Sequence, residues 1–141
     1  MNRLLATACS TAAALALAVG GASAAVAQPT DDAAVQLCSN LTELRADNAK
    51  LRALDPATAT KDQVKDAFDD VQDSWKDVGE STAQFEASKK DAVKKAADDL
   101  KSTWEGLPGD TTGQEALTKL TPQIQSLDTA VSDATTSLSC Y

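Results

Sequence analysis

Apolar side chains recur every three or four positions along most of this chain, and no stretch alternates apolar with polar as a half-buried strand would. Four such stripes can be followed. The first carries Ala34, Leu37, Leu41, Leu44, Asn48 and Leu51. It opens after Asp31 or Asp32 as N-cap and stops at Asp55-Pro56, because the residue before a proline avoids the α region. The second carries Val64, Phe68, Val71, Trp75 and Val78; Thr60 and Gln63 have the spacing of a capping box, and Gly79 suits the position just past the helix end. The third carries Phe85, Val93, Ala96, Leu100 and Trp104, with Ser81 and Gln84 as its box. Beyond "GLPGDTTG", the clearest loop, Thr112 and Glu115 box a fourth stripe of Leu117, Leu120, Ile124, Leu127, Val131, Ala134 and Leu138. Pro122 either kinks that helix or starts it afresh after Thr121. The prediction is an all-α chain with helices at 33–54, 61–78, 82–105 and 113–138.

Residues 1–27 fall outside this periodicity and have the three parts of a secretory signal. Arg3 supplies the positive start, the run from Leu4 to Val19 is apolar, and Ala25-Val26-Ala27 fits the small-x-small cleavage rule, with Ala22-Ser23-Ala24 as second choice. The apolar run is short for a membrane anchor, is broken by Gly20-Gly21, and is followed by acidic rather than basic residues. Lipid attachment at Cys9 does not fit, because most of the apolar run follows that cysteine. The expectation is export, with a single domain at 28–141.

Removing 27 of 141 residues leaves 114, with two cysteines, Cys38 and Cys140. An even pair in an exported chain reads as a disulfide. A redox pair would instead show CxxC spacing, which is missing. The bridge would close a loop of 102 positions, from 38 to 140, for which chain entropy gives about 4.7 kcal/mol. The chain has reason to use it. After residue 27 its large apolar residues are eleven leucines, six valines, one isoleucine, two phenylalanines and two tryptophans; much of the remainder is alanine, which buries little area.

The bridge also restricts topology. A three-helix bundle would leave the cysteines at opposite ends, about 30 Å apart, whereas a disulfide spans about 7 Å. An antiparallel up-down-up-down four-helix bundle brings them together. So does an alternative in which the second and third helices fuse into one rod of about 68 Å, with the outer helices folded back along it. Charge placement favours the bundle. Asp62, Asp66, Asp69, Asp70, Asp73 and Asp77 form an acidic ridge, and Lys89, Lys90, Lys94 and Lys95 a basic cluster. A turn at 79–82 would set Asp66 near Lys95 and Asp73 near Lys89, and pair Phe68 with Val93 and Trp75 with Phe85.

Loss of Arg3 leaves 12 basic against 21 acidic side chains, a net charge of −9, which disfavours nucleic acid and anionic lipid as partners. Histidine is absent, so His-dependent triads and metal sites are excluded. The chain has no Gly-rich phosphate loop and no EF-hand pattern. The carboxylates recur on polar helix faces rather than as a convergent pair, which argues against glycosidic or other hydrolytic chemistry. No catalytic, cofactor or metal residue is assigned; the only site residues are the disulfide pair. The acidic ridge reads first as a solvated face and second as a cradle for a cation or basic partner. Asn48 reads as a polar residue that sets register.

The region from "VQLCSNLTEL" to "SLSC" has a cysteine early in its first helix, a cysteine at its end, and Ala/Asp/Lys-rich amphipathic helices between, behind a signal. In these features it resembles uncharacterised small secreted helical proteins of high-GC Gram-positive bacteria. It has a looser likeness to the corynebacterial porin B family, small exported four-helix proteins with a disulfide joining first and last helices. That likeness implies an oligomeric channel in the outer envelope. The acidity and the single apolar stripe per helix depart from what a pore exposed to lipid requires. The expected protein is a secreted, monomeric, non-enzymatic bundle, binding an unidentified envelope or extracellular partner or serving as a structural component there. A porin-like oligomer and a carboxylate-dependent hydrolase are the alternatives.

Overall fold

A computed structural model describes residues 31–81 and 87–140. It contains four helices: α1 (Asp31–Ala53), α2 (Lys61–Glu80), α3 (Ala87–Glu105) and α4 (Gly113–Ser137). The proposed signal and Phe85 lie outside the described residues.

Local chemistry sets most of the boundaries. At the end of α1, Asp55 accepts from the amide of Ala57 through its carboxylate (2.8 Å) and from the amide of Ala59 through its carbonyl (2.8 Å). The chain thereby turns at Pro56 instead of continuing the helix. Both boxes at Thr60/Gln63 and Thr112/Glu115 are formed reciprocally. The Ser81 box falls partly outside the described residues, since Gln84 is not among them. Ser81 ends α2, its amide bonding to the Val78 carbonyl. Gly79 accordingly sits inside the last turn of α2, without the positive φ expected of a residue past the helix end. Pro122 starts no new helix: α4 runs through it from Gly113 to Ser137. Its ring is on the exposed side, where the carbonyl left without a helical donor can face water.

The helices close as an antiparallel up-down-up-down bundle. Lys61, at the start of α2, donates to the Gly109 carbonyl in the α3–α4 loop (2.7 Å), so both loops share one end. In the rod these residues would lie far apart, and the rod is thereby excluded. At the other end Cys38 and Cys140 are bonded, with Cα atoms 5.4 Å apart. The chain reaches that bond through a Schellman ending of α4. Cys140 N–H bonds to the Thr135 carbonyl (3.0 Å), Ser139 N–H to Thr136 (3.2 Å), and Ser139 takes φ 54°. A non-glycine residue in that left-handed position costs on the order of 1 kcal/mol, and it fixes the backbone of the terminal cysteine.

The core is a single cluster from all four stripes. Leu37, Leu41, Leu44 and Leu51 face Val64, Val71 and Val78 on α2, Val93 and Leu100 on α3, and Leu120, Leu127 and Val131 on α4, each fully buried. Trp75 and Trp104 are half-buried at its margin rather than within it. Phe68 stacks on Trp104 (centroids 5.1 Å), a pairing not expected from the stripes. With α2 running to Glu80, a turn at 79–82 does not form as expected, and residues 82–86 lie outside the described residues.

The bundle forms without the expected ion pairs between the acidic ridge and the lysine cluster among the described residues. Among the described residues, the ion pairs of α2 and α3 lie within a helix: Lys65–Asp69, Lys76–Asp73, Lys94–Asp98, Lys95–Asp99 and Lys101–Glu105. A lysine meets a carboxylate three or four residues away on its own helix before it meets one on a neighbour.

The loop end of the bundle is packed tightly at Gly113. A Cβ there would lie 2.1 Å from the Ala59 carbonyl oxygen and 2.7 Å from the Thr60 carbonyl carbon, both backbone atoms with little room to yield. Gly113→Ala is therefore expected to destabilise the protein by about 1–3 kcal/mol, although alanine ordinarily favours a helix. Urea denaturation checks this; a neutral or stabilising change would contradict the packing.

Candidate functional site

The most pronounced chemical feature of the surface is the groove between α1 and α2. Glu43, Asp47, Asp70, Asp73 and Asp77 line one depression of about 240 Å³ with Lys50 and Ser74. Gln36, Asn40, Glu43, Asp77, Glu80 and Ser81 line an adjoining one of about 440 Å³. Six carboxylates line the two depressions, against Lys50 within them and Lys76 paired to Asp73 at the rim, which leaves the groove with a net negative charge. The ridge predicted on the second helix is thus divided: Asp70, Asp73 and Asp77 line the groove, Asp73 with Lys76 bonded to it, whereas Asp69 is taken by Lys65 outside it. Asp62 and Asp66 do not line it.

Two buried polar residues of α1 form its floor. Asn40 is 7% exposed. Its amide nitrogen donates to the Asp77 carbonyl (2.8 Å) and the Ser81 hydroxyl (2.7 Å), and its oxygen accepts from Gln36 (2.9 Å). Asp47 is also 7% exposed; its carboxylate accepts from Lys50 (2.6 Å) and from the Ser74 hydroxyl of α2. Burial by itself would raise the Asp47 carboxyl, but the hydrogen bonds from Lys50 and Ser74 and the Lys50 charge outweigh it and hold it below its ordinary 3.8. Lys50 is raised in turn, first by its hydrogen bond to Asp47 and then by the carboxylate charge. The pair is committed to joining α1 to α2, with Glu43, Asp70 and Asp77 at the rim.

Neither Asn40 nor Asp47 was singled out from the sequence. A signal exists: they lie seven residues apart on the same flank of the Leu37-Leu41-Leu44-Asn48 stripe, where two turns of helix bring a second neighbour into reach. Asn48 was anticipated as a register residue and behaves as one. It is 1% exposed and donates to the Ile124 carbonyl of α4 at 2.9 Å. Its oxygen, with Gln72 Nε2 and Gln123 Oε1, is buried without a hydrogen bond among the described residues.

Among the described residues no group of three or more histidine, cysteine or acidic side chains is placed to hold a metal ion. The structure brings Cys38 and Cys140 together and assigns them to the clasp. Neither a protein-family model, nor a curated protein, nor a solved structure matches this chain.

The lowered Asp47 carboxyl makes a prediction with a definite sign. Its contribution to stability is present in full above its unfolded value near 3.8 and is lost as pH falls through the lower folded value. Asp47→Asn should cost about 1–3 kcal/mol at neutral pH and flatten the acid limb of the stability curve. Thermal melts from neutral pH down to about pH 2 test both; an acid limb unchanged in the variant would contradict the assignment.

Proposed function

We propose that this protein works outside the cytoplasmic membrane as a non-enzymatic component of the cell envelope or extracellular space, through binding or structural support. The observation that carries the reading is the Cys38–Cys140 disulfide, since such bonds persist in oxidising compartments. The signal-like pattern of residues 1–27 agrees with it. The acidic α1–α2 groove is the face assigned to a partner, which by charge complementarity is cationic.

A membrane-spanning role gains no support from the fold. No helix among the described residues is long and apolar enough to cross a membrane, and Val35 is their one large hydrophobic side chain left exposed. A hydrolytic role gains none either, because the buried carboxylate of the groove is occupied by Lys50 and Ser74.

Cell fractionation with mass spectrometry tests the address. The recovered protein should lie outside the cytoplasm, begin at Gln28 and carry a closed disulfide; cytoplasmic protein starting at Met1 with free thiols would overturn it. Capture from isolated envelope tests the face. Reversing charge at Asp73 and Asp77 should weaken capture severalfold and reduce its salt sensitivity, whereas undiminished capture would remove the groove from the account.

A further inference from the structure

The opposite side of α1 carries chemistry that the acidic groove does not use. Beyond Arg3 the chain has only two arginines, Arg45 and Arg52, and both converge on Asp128 of α4. The approaches are loose: Arg45 Nε lies 3.6 Å and Arg52 Nη1 3.7 Å from the carboxylate, beyond good hydrogen-bond distance. Two guanidinium groups share one carboxylate, so neither arginine is neutralised by a carboxylate of its own. The chain's remaining basic side chains are lysines, most of them paired within their own helix.

Arg52 stands at the rim of a crevice between the end of α1 and the first half of α4, with a volume of about 130 Å³. Its floor is apolar: Leu51, Leu117 and Ile124 are at most 4% exposed, and Leu54 and Pro56 close one side. Thr121 and Gln125 complete the rim. A dry apolar cavity of roughly 150 Å³ holds a six-carbon ring, so a crevice of this size suits a short hydrocarbon tail. Arginine is also the side chain best fitted to a carboxylate, because its planar fork presents paired donors.

We propose that this crevice binds a small organic acid with a tail of about four to six carbons, the tail lying on Leu51, Leu117 and Ile124 and the carboxylate on Arg52. Asp128 is the internal competitor for that guanidinium. The site is independent of the acidic groove and of any partner bound there.

Hexanoate, hexanol and hexylammonium, titrated separately into the disulfide-bonded protein and followed by amide chemical shifts, test the proposal. Hexanoate should give saturable shifts confined to residues around 51–56 and 117–125, with hexanol weaker and hexylammonium weakest. Arg52→Gln should weaken hexanoate about fivefold, the upper range for an exposed ion pair, and leave hexanol unchanged. Asp128→Asn should act in the opposite direction and tighten hexanoate, which no loss of structure would do. Equal affinity for the three probes, shifts scattered over the surface, or indifference of hexanoate to both substitutions would overturn the proposal.

Discussion

A single covalent bond decides what the four helices can do. Cys38 lies two turns into α1 and Cys140 three residues past α4, and their union requires the first and last helices to lie side by side with their outer ends level. The bond leaves either the bundle or the rod, and in the bundle the α1–α2 and α3–α4 loops must meet at the far end. They do meet there, with Lys61 bonded to the α3–α4 loop and Gly113 pressed against Ala59. The core needs such a constraint. About half of it is valine and alanine, which offer less area than leucine or phenylalanine, and both tryptophans sit at its margin.

Polar side chains then set the level at which the helices pass one another. Asn40 and the Asp47–Ser74 contact hold α1 against α2, and Asn48 holds α1 against α4. Each replaces a contact that an apolar residue would make without directional preference. In a core of aliphatic residues repeated at helical spacing, directional bonds discriminate between registers that packing alone would leave close in energy. The same polar residues build the acidic groove, so the features that align α1 and α2 also shape the surface proposed to meet a partner.

Much of the architecture was legible in the chain itself, and the exceptions have physical causes. Helix positions follow from stripes and caps, which are local, and the boxes at Thr60 and Thr112 form as their spacing requires. Ser81 has an equally good box spacing and ends a helix instead, because a serine can close a helix or open one, and the outcome depends on how the chain continues. Side-by-side register was the least legible property. The Phe68–Trp104 stack joins residues 36 positions apart that no local pattern pairs, and Lys94 and Lys95 are satisfied within their helix before they reach a neighbour. Among the functional features, the disulfide was readable from cysteine count. The acidic groove was readable only in part, because its floor comes from α1 flank positions whose second neighbour is defined by the fold.

The central claim is that the disulfide, rather than the core alone, sets the stability of this bundle. It is tested most directly by comparing thermal unfolding of the oxidised protein with that of the Cys38→Ala/Cys140→Ala double variant, which removes the bridge without adding a reductant. Closing a loop of 102 residues should be worth about 2–5 kcal/mol, and at roughly 4 °C per kcal/mol the melting temperature should fall by about 8 °C or more. A variant that melts within about 2 °C of the bridged protein, on the same scale, would show that the helices hold together without their clasp and would contradict the account.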